Sequence, residues 1–589
     1  MQMSALSFRS ALRNGSSILA LSTIAMIGAP AAQATDGIFG GGSTLASLAE
    51  RTLSANFYVY NSSSVLLLYA AIGSGSGQRI FISNDPAQGF LGYGLDPATP
   101  PDYLFPFLGF STYPYPRVDF GTSDAPLPAN FATGYTTTVY NWDQVNHTRT
   151  ATGSVSYPTA SYGQPIQLPL FETPVAVAVN LPEVDQNTGT TVVDGVTWTI
   201  KSQLPASPAP YGGRIQLSTA QICAIFSGLV TDWNSTATIA YLKDDGTIDH
   251  ESFAAANTWR AGSTAGTPGT GGGTPYASSS TPITIVYRQD GSGTSFIFTN
   301  YLKTVCPLLD PDNTYGYHSI FATSVLPNNS FTQLINKVTA YGRFLHTVGA
   351  NGSDAVAAAI GNSTTNHGYI GYLSAGFVQP NNPVTSTAPY AANVQNDYLR
   401  FKGVYHPGQT PIGTTDLADF VAPSPLAAEA AWAALSVPTT ADFNAWNVYA
   451  QTFPATTYLQ GSSWGWGSWA VDITGRSILP LAPADGAYPL TGTTYIYVYS
   501  CYGAGRDSVA AATRVANLKD YLRWHYIYNE YWWPAGNAED VIIVNGFGPL
   551  PWTWTSAIES AYLSSSSTAI AADGASPANG CTGVIGGAQ

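Results

Sequence analysis

The sequence predicts an α/β fold with mixed sheets, and three observations carry that expectation. Short β-branched runs alternate with helical patterns along the chain. Apolar residues make up 45% of the 589 positions, enough for a large core. Two glycine–serine loops follow strand-like runs, and one of them opens a helix.

The elements follow in order. Pro174 to Leu181 reads as a strand with the proline at its start, and Leu217 to Phe226 as a helix. Ile283 to Arg288 is β-branched and strand-like, and Phe296 to Val305 then reads as a helix. Thr493 to Tyr499 alternates aromatic and β-branched residues, the mark of a strand, and Ala511 to Tyr526 is amphipathic. By composition, Ala261 to Ser280 is a flexible surface insertion and Tyr103 to Arg117 an irregular loop. The tail from Ser564 to Gln589 is Ser/Ala/Gly-rich, and only Cys581 suggests that it is tied down. No internal repeat stands out.

Charged residues are only 10% of the chain, against roughly 25% in typical soluble domains. Gly (58), Pro (40) and Tyr (36) fill the gap, as in secreted, loop-rich proteins. A net charge of −14 argues against nucleic acid or an anionic membrane as partner, because both demand basic patches. An anion site would have to be built locally, against that field. The N-terminus reads as a signal peptide over residues 1–34. Arg9 and Arg13 supply its basic part, Ser17 to Ile27 its apolar part, and Ala32-Gln33-Ala34 its cleavage pattern, so the mature chain would begin at Thr35. An uncleaved anchor is the alternative. No later segment reads as a membrane span. The four cysteines, Cys223, Cys306, Cys501 and Cys581, allow three pairings, and an oxidising compartment favours two disulfides. Metal binding fits poorly, since none lies in a C-x-x-C. No metal or cofactor is expected.

The stretch Arg288-Gln-Asp-Gly-Ser-Gly-Thr294 is an anion cradle in physical terms. Glycines let backbone approach a ligand, and the first N–H groups of a helix favour an anion. Arg288 supplies a planar fork suited to phosphate oxygens, Asp290 orients it, and Ser292 and Thr294 add hydroxyls. A plain turn before a capped helix is the competing reading. Two further loops, Gly40-Gly-Gly-Ser-Thr44-Leu45 and Ile72-Gly-Ser-Gly-Ser-Gly77, offer N–H and hydroxyl donors. In Asp119-Phe-Gly-Thr-Ser-Asp-Ala-Pro-Leu127, Asp124 either caps a helix or accepts a proton. An acceptor-only carboxylate would admit protonated phosphate and reject sulfate, at a cost to sulfate of roughly 2–5 kcal/mol.

Catalytic constellations are weaker. The seven histidines stand in no recognisable motif, and no catalytic residue is assigned. Tryptophans crowd the C-terminal third, Trp464, Trp466, Trp469, Trp524, Trp532, Trp533, Trp552 and Trp554. Packing is their ordinary role, with exposure more expected in the Ser462 to Trp469 loop.

These motifs, in this order, resemble the phosphate-binding proteins of high-affinity phosphate ABC uptake, and most closely the DING subfamily. The resemblance rests on GGGSTL (Gly40 to Leu45), GSGSG (Gly73 to Gly77), DFGTSDAPL (Asp119 to Leu127) and YRQDGSGTSFIFTNYL (Tyr287 to Leu302). Collinear matches continue through Ile215 to Asn234, Gly368 to Val378, Tyr488 to Val498 and Asn545 to Trp554. It implies a two-lobed, periplasmic-binding-protein-like (type II) α/β fold, with a mixed sheet and flanking helices in each lobe around a hinged cleft. Residues 35–170 and 481–589 would form the first lobe and 171–480 the second. It implies inorganic phosphate as the ligand, held by Thr44, Leu45, Ser74, Asp124, Arg288, Ser292, Gly293 and Thr294, with Ser76 an alternative to Ser74. It further implies the disulfides Cys223–Cys306 and Cys501–Cys581, an ABC permease as partner, and a periplasmic or secreted location without enzymatic activity. The chain is far longer than the usual member, and an aromatic, proline-rich insertion stretches the spacing from Ser74 to Asp124. The rival functions are a structural or adhesive surface protein, self-associating through aromatic insertions, and a phosphoester hydrolase.

Overall fold

Nine strands build the main sheet: β1 (Asp36–Gly41), β2 (Val65–Ala70), β3 (Phe120–Ser123), β4 (Pro165–Asn180), β5 (Thr284–Arg288), β6 (His346–Ala350), β7 (Tyr369–Ser374), β8 (Tyr390–Ala391) and β9 (Thr491–Tyr499). A computed structural model describes residues 36–62, 64–89, 116–127, 131, 134–143, 148–185, 188–200, 215–242, 247–258, 273–362, 365–379, 381, 388–397, 419–433, 486–503, 509–527, 537–565, 569–572 and 581–588. The strand order is β6-β5-β7-β4-β9-β3-β1-β2, with β8 paired to β4 off this path. Pairs β1/β2, β1/β3, β5/β6 and β5/β7 are parallel. The central pairs β7/β4, β4/β9 and β9/β3 are antiparallel. The sheet is mixed, with a parallel group on each side of an antiparallel centre.

Strand β4 joins the two groups. Its first part, from Pro165 to Pro174, pairs with β9, and Val175 to Asn180 pair with β7. The sequence pattern places the start of this strand at Pro174; the structure starts it at Pro165. Interior prolines lack the donor a central strand needs, which is why the earlier half does not read as strand. At Pro169 the strand bulges. Thr494 pairs with Phe171 and Tyr495 with Pro169, leaving Leu170 as the extra residue. The Leu170 carbonyl accepts from His525 Nε2 at 3.0 Å, so the disrupted ladder leaves that group satisfied.

Among the helices, six bear on the site and its supports: α1 (Ser47–Tyr60), α2 (Ser74–Ser83), α3 (Thr219–Phe226), α4 (Gly293–Leu309), α5 (Gly352–Ile360) and α6 (Ala511–Ile527). The predicted helices at 217–226, 296–305 and 511–526 correspond to α3, α4 and α6, with α4 longer at both ends. Ser218 and Gln221 form a capping box that starts α3. Phe57 of α1 packs on Tyr521 and Trp524 of α6. Phe298 of α4 packs on Phe226 of α3 and stacks on Tyr372 of β7 at 4.5 Å.

Two disulfides are present, Cys223–Cys306 between α3 and α4, and Cys501–Cys581. The second is one of several ties on the tail. Ala571–Ala572 pairs with Cys501–Tyr502, and the Ala588 amide donates to Asn84 Oδ1. Part of the expected flexible insertion is packed instead. Tyr276 and Ala277 are buried, and Gln221 donates to the Tyr276 hydroxyl. Trp524 and Trp554 are buried, whereas Trp552 is exposed. The signal peptide, most of the 103–117 loop, and Trp464, Trp466, Trp469, Trp532 and Trp533 lie outside the described residues. No described helix is long and apolar enough to cross a membrane.

Candidate anion-binding site

Loops at the carboxyl ends of β1, β2, β3 and β5 meet the N-terminal ends of α1, α2, α4 and α5. This is where α/β sheets place their ligands, because the strand ends open a crevice and the helix N-termini aim N–H groups into it. Glycine permits the close approach at two points. Gly42, at φ 151°, would place a Cβ 1.9 Å from the Thr122 carbonyl oxygen. A Cβ on Gly293 would stand 2.6 Å from both Asp124 Cβ and Ser74 Oγ.

Arg288 ends β5 and is buried. Its Nε donates to Asp290 Oδ1 at 2.7 Å, and its Nη2 donates to Asp290 Oδ2 and, at 2.7 Å, to Thr44 Oγ1. Nη1 donates to Thr294 Oγ1 at 3.2 Å and to Ser353 Oγ at 3.3 Å. Asp290 also accepts from the Gly352 amide at the start of α5. The planar fork is therefore fixed from β5, α4, α5 and the loop before α1 together.

Asp124 is buried beside it. Ser43 Oγ donates to Oδ1 and Oδ2 at 2.6 and 2.7 Å, Thr494 Oγ1 to Oδ1 at 2.8 Å, and Ser74 Oγ to Oδ2 at 3.0 Å. Burial pushes its carboxyl above the usual range, opposed by the Ser43, Thr494 and Ser74 hydroxyls and by the Arg288 charge. It does not cap a helix among the described residues.

The structure brings Thr44, Ser74, Asp124, Asp290, Arg288, Ser292, Gly293 and Thr294 into one cluster. Ser292 caps α4 by accepting the Thr294 amide at 3.1 Å, so that one N–H is taken internally while both hydroxyls keep a proton to donate. Leu45 buries its side chain in the core, which leaves its backbone as the part a ligand could meet. Ser74, not Ser76, reaches Asp124; Ser76 Oγ accepts from Arg79. Sequence reasoning missed Ser43, Ser353 and Thr494. Ser43 lies within a loop already singled out, whereas Thr494 carries no local signal. Among the described residues no group of three or more His, Cys, Asp or Glu could hold a metal ion.

Comparison with known proteins agrees with this architecture. The family model described as a PBP superfamily domain matches residues 29–414. A phosphate-binding protein from an unknown prokaryotic organism is 25% identical over 352 residues, which is 60% of this chain and 68% of the relative. Alkaline phosphatase L of Pseudomonas aeruginosa (strain UCBPP-PA14) is 24% identical over 344 residues, 58% of this chain, and the chain spans only 60% of that protein's length. Among solved structures, the periplasmic phosphate-binding protein PfluDING bound with phosphate superposes with a TM-score of 0.52 at 19% identity, covering 93% of this chain and 98% of that one. A human phosphate binding apolipoprotein gives a TM-score of 0.51 at 21% identity, covering 93% and 99%. At these identities the structural likeness speaks for the fold. The family match extends over more than half of the sequence, and the chain belongs to the PBP superfamily.

Proposed function

We propose that this protein is an exported solute-binding protein that captures inorganic phosphate in a cleft between two lobes, for uptake or scavenging, and does no covalent chemistry. Residues 35–170 and 481–589 make one lobe and 171–480 the other. One observation carries the reading: a buried arginine held by Asp290 and Thr44 stands beside a buried, hydroxyl-ringed carboxylate at the start of α4. The arginine and hydroxyls suit an oxyanion, and the carboxylate suits the proton that hydrogen phosphate carries. Thr44, the Leu45 backbone, Ser74, Asp124, Arg288, Ser292, Gly293 and Thr294 are the ligand set. The relatives named for phosphate binding support the same ligand. A phosphate ABC permease is the partner this reading implies.

The test is calorimetric titration of the mature protein, stripped of anion by unfolding and refolding, with phosphate and then sulfate near neutral pH. One-to-one phosphate binding with little sulfate response supports the reading. Binding of neither anion overturns it.

A phosphoester hydrolase is the second reading, favoured by the relatives named alkaline phosphatase L and by two serine hydroxyls on one carboxylate. It requires turnover of an aryl phosphate that disappears in Ser43→Ala or Ser74→Ala.

A further inference from the structure

Asp124 stands in a collar of hydroxyls whose proton directions are fixed by their other partners. Ser43 Oγ accepts the Ala46 amide at 3.1 Å, at the entry to α1, and spends its own proton on the carboxylate. The Ser43 backbone is itself clamped, because its amide donates to Thr122 Oγ1 and its carbonyl accepts from Tyr69. Thr494 Oγ1 contacts Thr173 Oγ1 at 2.9 Å and Asp124 Oδ1 at 2.8 Å. A carboxylate can only accept, so Thr494 donates to Asp124 and must accept from Thr173. The result is a directed row, Thr173 to Thr494 to Asp124, in which each bond polarises the next. Thr173 lies on β4 and Thr494 on β9, the two long strands at the sheet's antiparallel centre.

We propose that Ser43 and Thr494 are specificity-determining positioning residues, which hold Asp124 as an acceptor-only carboxylate and so set the preference for an oxyanion that carries a proton over one that does not. The inference rests on the phosphate-binding reading of the site. A buried carboxyl without these donors takes up a proton more readily, because burial disfavours the charge and hydroxyl donors favour it. Once protonated it becomes a donor. It then welcomes sulfate and no longer rewards the proton on phosphate. The titratable and charged groups that face Asp124 among the described residues are Arg288, Tyr69, Tyr495 and Tyr497. Burial raises all three tyrosines, so they stay neutral, and Arg288 is the remaining charge that favours ionised Asp124.

The experiment is calorimetric titration of the full mature chain and of Ser43→Ala, Thr494→Val and the double variant, with phosphate and with sulfate, from pH 5 to pH 9. The phosphate-to-sulfate affinity ratio is expected to fall roughly tenfold in each single variant and further in the double. The pH below which sulfate begins to bind is expected to move upward. Ser43→Thr and Thr494→Ser keep the hydroxyl and are expected to restore the parent ratio, which a merely structural effect of the truncations would not do. Folded alanine and valine variants with the parent's ratio and pH profile overturn the inference. If the truncations fail to fold, Thr173→Val, which leaves Thr494 in place but removes the donor that directs its proton towards Asp124, reads the same row, and a folded Thr173→Val with the parent's ratio and pH profile overturns it equally. A parent chain that binds neither anion defeats the phosphate reading itself, a result distinct from a parent that discriminates and variants that do so equally well.

Discussion

Arg288 Nη2 donates to Thr44 Oγ1 at 2.7 Å although the two residues lie 244 positions apart. The bond links the parallel group holding β1 to the one holding β5. The same guanidinium is engaged by Asp290, Thr294 and Ser353. Thr44→Val removes one of these partners and is expected to weaken phosphate binding about tenfold, the usual scale for one hydrogen bond to a charged group. Arg288→Lys keeps the charge but loses the fork, and is expected to weaken binding at least about a hundredfold. Titration calorimetry at constant ionic strength checks both. Equal affinities in parent and Arg288→Lys would refute the assignment of Arg288 as the anion's cation.

On the proposed two-lobed reading, Gly293 offers a steric test of hinge closure. A Cβ there would meet Asp124 and Ser74 at 2.6 Å, distances real Cβ atoms do not tolerate. Those two residues precede β4 in the chain, whereas Gly293 opens α4 after it. A hinge can relieve the clash by opening, without disturbing the core of either side. Gly293→Ala is therefore expected to lose phosphate affinity at least about tenfold while Tm falls by no more than a few degrees. A large loss of Tm with normal affinity in the folded fraction would show that the contact is structural.

His525 makes the bulge in β4 pH-sensitive. It is buried, donates to the Leu170 carbonyl, and burial lowers its pKa from 6.5 to about 4. The folded protein holds it neutral while the unfolded chain protonates below pH 6.5. Its stabilising contribution is thus complete above pH 6.5 and declines as pH falls towards 4, by on the order of 3 kcal/mol in total. Denaturant titrations at pH 7 and pH 4.5 should show this loss, and it should shrink in His525→Gln, whose amide can still donate but does not titrate in this range. An identical pH dependence in that variant would assign the loss to other groups.

These residues also show what the sequence could disclose. The arginine loop is legible because Arg288, Asp290, Ser292 and Thr294 lie within one short segment between a strand and a helix, so local rules suffice. Asp124 is legible for the same reason, set among small polar residues. Thr494 is not, because it lies 370 positions from the carboxylate it serves. Its strand's pattern announces burial and nothing about which buried hydroxyl faces what. The first half of β4 is hidden by Pro169 and Pro174, prolines that read as breaks in a central strand; at Pro169 the structure answers with the bulge at Leu170, whose carbonyl His525 satisfies. Helices α3, α4 and α6 are readable from the pattern of their segments, but the pairing of β4 with both β9 and β7 is a tertiary choice that no local window contains.

Glu50 provides the opposite pH response to His525. It sits on the inward face of α1, fully buried, and its Oε1 has no hydrogen-bond partner among the described residues. Burial raises its pKa from 4.5 to about 8, opposed by a hydrogen bond with Tyr521. The folded protein keeps it protonated where the unfolded chain ionises. Its contribution is therefore fully present below pH 4.5 and is lost as pH rises towards 8. Glu50→Gln has nearly the same shape and cannot ionise. It is expected to match the parent near pH 5 and to be the more stable protein at pH 8.5, by on the order of a few kcal/mol. Denaturant midpoints at those two pH values measure the difference. Parallel curves for parent and variant across that range would mean that Glu50 is ionised in the folded state, with a partner that offsets its burial.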